Sequence, residues 1–180
     1  MMNLANILTI IRLALLPVII LLFFIPSVTA AWICLSLYII GAVTDFLDGW
    51  VARKYNQITP FGTFLDPISD KIFVITILLM LVAVNTISHV WVLAVIVILM
   101  REFLVSGLRE FLGPQGLKLP VTNLAKWKTT VQMVATGLLI MAPYFAWANV
   151  LGLAGLLIAA TLTAMTGWIY LRGSWEHIRG

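Results

Sequence analysis

Six stretches of nearly uninterrupted apolar sequence, each about as long as a helix needs to cross a bilayer, follow one another along the chain. They run from Ile7 to Ile25, Ala30 to Arg53, Phe64 to Val84, Val90 to Phe111, Lys128 to Trp147 and Val150 to Leu171. Turn-forming residues separate them: Pro26-Ser27, Pro60-Phe61-Gly62, Asn85 to His89, Gly113-Pro114 with Gly116 and Pro120, and Pro143 to Asn149. With 62% of 180 residues hydrophobic and 10% charged, the chain has too few polar groups to cover a water-soluble globule. Lipid can solvate such side chains directly. The pattern predicts a single all-α integral membrane domain over residues 1–180, with six transmembrane helices around a polar cavity that faces the cytoplasm.

The distribution of charge sets the orientation. The connections after the first, third and fifth stretches hold no Lys or Arg. Arg53, Lys54, Lys71, Arg109, Lys118, Lys126 and Lys128 lie around the second and fourth connections, and Arg172 and Arg179 follow the sixth stretch. The positive-inside tendency therefore puts both termini and the two basic connections in the cytoplasm. Arg12, the apolar run after it and Val28-Thr29-Ala30 imitate a cleavable signal, but Asn6, Thr9 and Arg12 are too specific for a disposable leader. The net charge of +4 suits anionic substrates or headgroups, whereas the absence of basic stretches interleaved with aromatics argues against nucleic acid. A lone cysteine, Cys34, excludes an internal disulfide or a Cys-rich zinc site.

Depth is more telling than count. Counted inward from the outer ends, the apolar runs are 13 residues before Arg12, 15 before Asp45, 13 before Asp70-Lys71, 11 before Arg101 and 14 before Lys128. At about 1.5 Å per residue these cover roughly 16 to 22 Å, against a hydrocarbon thickness of about 30 Å. Charges on five helices thus begin at one level, short of the cytoplasmic boundary. Long basic side chains can snorkel out from that depth, but short aspartates cannot. The carboxylates need partners within the protein.

Asp45, Asp48, Gly49 and Ala52 fall on one helical face with Arg53 at its margin, and Asp66 and Asp70 are one turn apart on the next helix. A reversal at Pro60 and Gly62 makes these helices antiparallel and brings four carboxylates together. So many close anions are hard to keep ionised without cations. All-oxygen donors favour Mg²⁺ or Mn²⁺, since His89 and His177 lie far from the motif. Two such ions about 3.5 to 4 Å apart can clamp a diphosphate. Small residues at 49 and 52 allow close approach of a base and diphosphate, and Arg53 offers a fork of donors to phosphate oxygens. Taken singly, Gly49 and Ala52 read equally well as helix-packing positions and Arg53 as an interfacial anchor. The expected chemistry is phosphoryl transfer.

Asp45, Asp48, Gly49, Ala52, Arg53, Gly62, Asp66 and Asp70 match every position of D-x2-D-G-x2-A-R-x8-G-x3-D-x3-D. In this the chain resembles the CDP-alcohol phosphotransferase family. The motif covers 26 residues, and the six-helix layout extends the likeness over most of the chain. The resemblance implies that an alcohol attacks the lipid-linked phosphate of a CDP-activated lipid and that CMP leaves. It also implies that Asp45, Asp48, Asp66 and Asp70 bind two metals, that Asp70 takes the proton of the attacking hydroxyl, and that Gly49, Ala52 and Arg53 hold the CDP part. A homodimer in the bacterial cytoplasmic membrane is implied as well.

The acceptor must be read from the remaining charges. Arg101, Arg109, Lys126 and Lys128, with Arg12, are more cations than a metal-bound diphosphate requires, so an acceptor bearing its own phosphate is expected to use them. The plainer reading pairs Glu102 with Arg109 along the fourth helix and leaves the lysines to anionic lipid. Asn6-x-x-Thr9-x-x-Arg12, the Arg101 to Arg109 stretch and Lys126-x-Lys128-Thr129 resemble the bacterial phosphatidylglycerophosphate synthases within the family. That likeness implies CDP-diacylglycerol as donor and glycerol 3-phosphate as acceptor, with inositol phosphate or phosphatidylglycerol as the nearby alternatives. A divalent-cation transporter is disfavoured because the outer helix halves carry no ionisable relay. A prenyltransferase would need more helices and lacks Gly49-x-x-Ala52-Arg53. Trp32, Trp91, Tyr144 and Trp147 on one side, and Trp127, Tyr170 and Trp175 on the other, read as interfacial belts.

Overall fold

The computed structural model describes residues 4–54, 60–113 and 123–179. Among the described residues the chain forms six α-helices and no strand: α1 (Leu4–Phe23), α2 (Val28–Lys54), α3 (Pro60–Ala83), α4 (Val92–Leu112), α5 (Asn123–Met141) and α6 (Ala146–Arg179). A 3-10 turn, His89–Trp91, leads into α4. The all-α membrane architecture expected from the sequence is therefore observed.

Three of these helices contain stretches long and apolar enough to cross a membrane: Asn6–Phe23, His89–Leu112 and Ala146–Trp175. In α2 the apolar stretch is shorter, Val28–Thr44, and stops where Asp45 begins the acidic motif. α3 carries Asp66, Asp70 and Lys71, and α5 carries Lys126, Lys128 and Gln132. In these three helices charged residues shorten the apolar run.

Helix ends depart from the sequence expectation for local reasons. α3 starts at Pro60 because proline lacks the amide hydrogen that a first helical turn leaves unused. It ends at Ala83, just before Asn85, whose φ of 59° is one that asparagine tolerates. The backbone N–H of Asn85 donates to the carbonyl of Val82, and that of Ile87 to Leu81. The fifth helix stops at Met141 instead of running on to Trp147. The N–H groups of Tyr144 and Phe145 both donate to the Met141 carbonyl, turning the chain around Pro143 so that Trp147 to Asn149 belong to α6. α6 runs past the expected Leu171 to Arg179.

Packing follows the inward stripes. α5 lies along α6, where Ala135, Gly152, Ala159 and Ala160 are small enough for close approach. α1 packs on α2 and α3, α4 packs on α6, and α2 on α5. The apolar core is built from Ile19, Phe73, Ile77, Leu81, Ile98 and Leu139 and their neighbours. Trp32, Trp127, Trp147 and Trp175 are exposed, as belt residues should be. Tyr170 corrects that expectation. It is buried, because its ring lies beneath the Arg101 guanidinium, 5.5 Å away.

Directly beneath the acidic motif, Tyr38 of α2 stacks on Phe73 of α3, with ring centroids 5.8 Å apart and planes at 5°. Gly41 makes room for this pair, since a Cβ there would fall inside the contact radius of the Phe73 ring. Gly41→Ala is expected to destabilise the protein by about 1–3 kcal/mol, as overpacked cores do. Thermal unfolding in detergent checks this, and an unchanged midpoint would contradict the stacked floor.

Candidate active site

The site grows from three helices that meet at one level. Asp45, Asp48, Gly49, Ala52 and Arg53 lie in the last three turns of α2, and their side chains are outside the described residues. Asp66 and Asp70 lie one turn apart on α3, both partly exposed. Among the described residues no three His, Cys, Asp or Glu side chains form a metal-holding group. The side chains of two of the four carboxylates expected to form one, Asp45 and Asp48, lie outside the description.

α1 carries a polar stripe toward this motif. Asn6, Thr9 and Arg12, three residues apart, are all buried on the side of α1 that meets α2 and α3. The Thr9 hydroxyl donates to Asp66 Oδ1 at 2.9 Å. Ser69, wholly buried, donates to the Asp66 backbone carbonyl at 3.0 Å. Arg12 is only 1% exposed, and a guanidinium that deep requires anionic company. The sequence marked Asn6, Thr9 and Arg12 by their spacing and by the family resemblance, and the structure adds that Thr9 holds a carboxylate of the motif. Thr9→Val is expected to lower turnover about tenfold, the lower end of what loss of an orienting partner to a ligand costs. Rates of the purified variant measure it, and full activity would mean that Asp66 needs no such partner.

A second cluster faces the first from α4 and α5. Lys128, 4% exposed, forms an ion pair with Glu102 Oε1. Arg101 reaches the same oxygen at 3.3 Å. The aliphatic part of Arg101 lies against Gly167, where a Cβ would stand 2.9 Å from Cγ, so α6 fixes this side chain from below. Glu102 thus pairs with Lys128 across helices, not with Arg109 along α4 as the plainer reading had it. α3, which carries Asp70, packs against both α4 and α5, which connects the two clusters. Arg109 and Lys126 are exposed. Of the four cations assigned to an acceptor phosphate, then, Arg101 and Lys128 come together beside the acidic motif.

Deeper in the protein, Gln132 and Thr136 continue the inward stripe of α5 below Lys128, and Gln132 Oε1 has no hydrogen-bond partner among the described residues. On the outer side of Tyr38 an apolar groove of about 430 Å³ runs between α2 and α5, from Ala42 and Val43 to Trp32 and Trp147. Its inner end lies two residues before Asp45. Polar chemistry and a lipid-sized groove therefore adjoin.

The donor chemistry fits hard divalent cations: carboxylate residues in pairs on two helices, one of them held by a neutral hydroxyl. A protein-family model for CDP-alcohol phosphatidyltransferases matches residues 2–168. A Rickettsia bellii protein named CDP-diacylglycerol--glycerol-3-phosphate 3-phosphatidyltransferase is 44% identical, covering 94% of each chain. Proteins of the same name from Pseudomonas fluorescens and Haemophilus influenzae are 39% and 37% identical; the alignments cover 99% and 94% of this chain and 93% and 92% of theirs. Members of the family are generally dependent on divalent metal. The eight-position motif, the two helices that carry it and near full-length similarity agree, and the chain belongs to the CDP-alcohol phosphatidyltransferase family.

Proposed function

We propose that the protein transfers the phosphatidyl group of CDP-diacylglycerol to glycerol 3-phosphate, giving phosphatidylglycerol phosphate and CMP. The observation that supports this reading is the Lys128–Glu102–Arg101 cluster on α4 and α5, helices that pack against α3, which carries the carboxylate expected to receive the proton. The relatives' names point the same way.

In this mechanism the donor's acyl chains lie in the groove between α2 and α5, and its CDP part rests against Gly49, Ala52 and Arg53. Arg101 and Lys128, with Arg109 and Lys126 at the exposed approach, attract and orient the acceptor phosphate. Asp70 accepts the proton of the attacking hydroxyl as that oxygen bonds to the lipid-linked phosphorus. The bond from this phosphorus to the oxygen shared with CMP breaks, and CMP leaves with the electron pair. Asp45, Asp48, Asp66 and Asp70 would hold two divalent ions, Mg²⁺ or Mn²⁺, which when bound would neutralise the diphosphate charge. The cavity and both termini face the cytoplasm, where a soluble acceptor is available, and the six helices cross the bacterial inner membrane. A homodimer rests on family resemblance alone.

Incubation of purified protein with CDP-diacylglycerol, Mg²⁺ and, separately, glycerol 3-phosphate, inositol phosphate or phosphatidylglycerol tests the assignment. Mass spectrometry should find phosphatidylglycerol phosphate as the sole new lipid. A product from another acceptor, with none from glycerol 3-phosphate, would overturn it.

A further inference from the structure

We infer that α6 takes part in the acceptor site through Tyr170 and Gly167, positioning residues that hold the Arg101 guanidinium where it meets the acceptor phosphate. The inference rests on the reading of Arg101 as a phosphate-binding cation. It adds a helix that carries neither the acidic motif nor any of the cations already assigned to that phosphate.

Arginine loses much rotamer freedom when it grips an anion, so a site binds more tightly when the side chain is already held in place. α6 supplies that hold with a notch and a ring. Thr163, Thr166, Tyr170 and Ser174 are buried at spacings of three and four, which puts them on one inward face of a helix that packs against α4 and α5. Gly167 lies beside this stripe, and a Cβ there would stand 2.9 Å from Arg101 Cγ, so the arginine stem occupies the space a side chain would take. The guanidinium carbon lies over the Tyr170 ring, 5.5 Å from its centroid. A ring bears no net charge, so it steadies the cation without neutralising it as a second carboxylate would. Through one terminal nitrogen Arg101 donates to Glu102 at 3.3 Å, the carboxylate that also pairs with Lys128. Two cations thus share one anion, and the cluster keeps a positive charge. The Nε of Arg101 is buried and has no hydrogen-bond partner among the described residues. A buried donor in that state is costly until an oxygen reaches it, and phosphate oxygens suit a guanidinium best.

The test is steady-state kinetics of the purified full-length protein with glycerol 3-phosphate and CDP-diacylglycerol varied in turn. Tyr170→Leu removes the ring and is expected to raise KM for glycerol 3-phosphate about tenfold, the scale of a desolvated contact between a cation and a ring. KM for CDP-diacylglycerol should stay nearly unchanged, which a general loosening of the fold would not produce. Tyr170→Phe keeps the ring and should keep the acceptor KM close to that of the unaltered protein. Once Arg101→Met has raised the acceptor KM, adding Tyr170→Leu should raise it no further, because residues that act through one another are not additive. Gly167→Ala should raise the same KM by displacing the arginine stem, and should add nothing to Arg101→Ala, which has no Cγ to displace. That arm stands even if Tyr170→Leu does not fold. An unchanged acceptor KM in folded Tyr170→Leu or Gly167→Ala protein overturns the inference, as does a Tyr170→Phe protein as impaired as Tyr170→Leu, or effects of Tyr170→Leu and Arg101→Met that simply add. Arg101→Met with an undiminished affinity for glycerol 3-phosphate would instead remove the parent reading, and this one with it.

Discussion

Replacing Asp70 by Asn is expected to lower kcat at least about a thousandfold, because in the proposed mechanism one change removes both a metal-binding charge and the group that receives a proton. Asparagine has nearly the same shape, so packing near Tyr38 and Phe73 should survive and the unfolding temperature should shift little. The expected pattern is loss of kcat with CDP-diacylglycerol still bound, since Gly49, Ala52 and Arg53 are untouched. Asp66→Asn should be damaging too, but it leaves the proton acceptor in place and so should cost less. EDTA should abolish turnover in the unaltered protein, and added Mg²⁺ should return it. Substantial activity in purified Asp70→Asn protein would mean that proton removal and metal binding are done elsewhere.

Replacing Lys128 by Met should raise KM for glycerol 3-phosphate by roughly a hundredfold while leaving KM for CDP-diacylglycerol nearly unchanged. Hydrogen bonds to charged groups contribute about 1.5–3 kcal/mol, which corresponds to roughly 10- to 150-fold in affinity. Lys128 stands toward the upper end because it is buried, where solvent does not screen its charge. The exposed Arg109 and Lys126 offer a control: each replaced by Ala should change that KM only a few-fold, as solvated charges do. Steady-state kinetics with each substrate varied in turn distinguishes this from the reading in which the lysines contact anionic lipid. That reading requires Lys128→Met and Lys126→Ala to behave alike and the acceptor KM to stay unchanged.

Much of this arrangement was legible because membrane insertion and helical periodicity are local rules. The positions of the six helices follow from apolar length and turn residues, and the acidic residues of α2 and α3 declare themselves by spacings of three and four. Where the rules end is equally physical. That Thr9 reaches Asp66, 57 residues away, depends on how α1 is rotated against α3, which periodicity does not specify. Glu102 meets Lys128 across two helices instead of Arg109 along one, because burial gives a cross-helix pair an energetic hold that an exposed pair lacks. Tyr170 read as a belt residue from its place near a helix end, yet the nearby Arg101 guanidinium draws it inward. The break at Pro143 was marked by proline, but which following residues rejoin a helix was decided by hydrogen bonds to Met141.

The central claim is that the carboxylates of α2 and α3 hold a pair of divalent ions facing a phosphate-binding cation cluster. Titration of the purified protein with Mn²⁺, followed by electron paramagnetic resonance, tests it most directly. Two ions about 3.5 to 4 Å apart should give two bound Mn²⁺ per chain with a spin-coupled signal, lost when Asp45 and Asp66 are both replaced by Asn. A single uncoupled Mn²⁺, or binding that survives those replacements, would contradict the account.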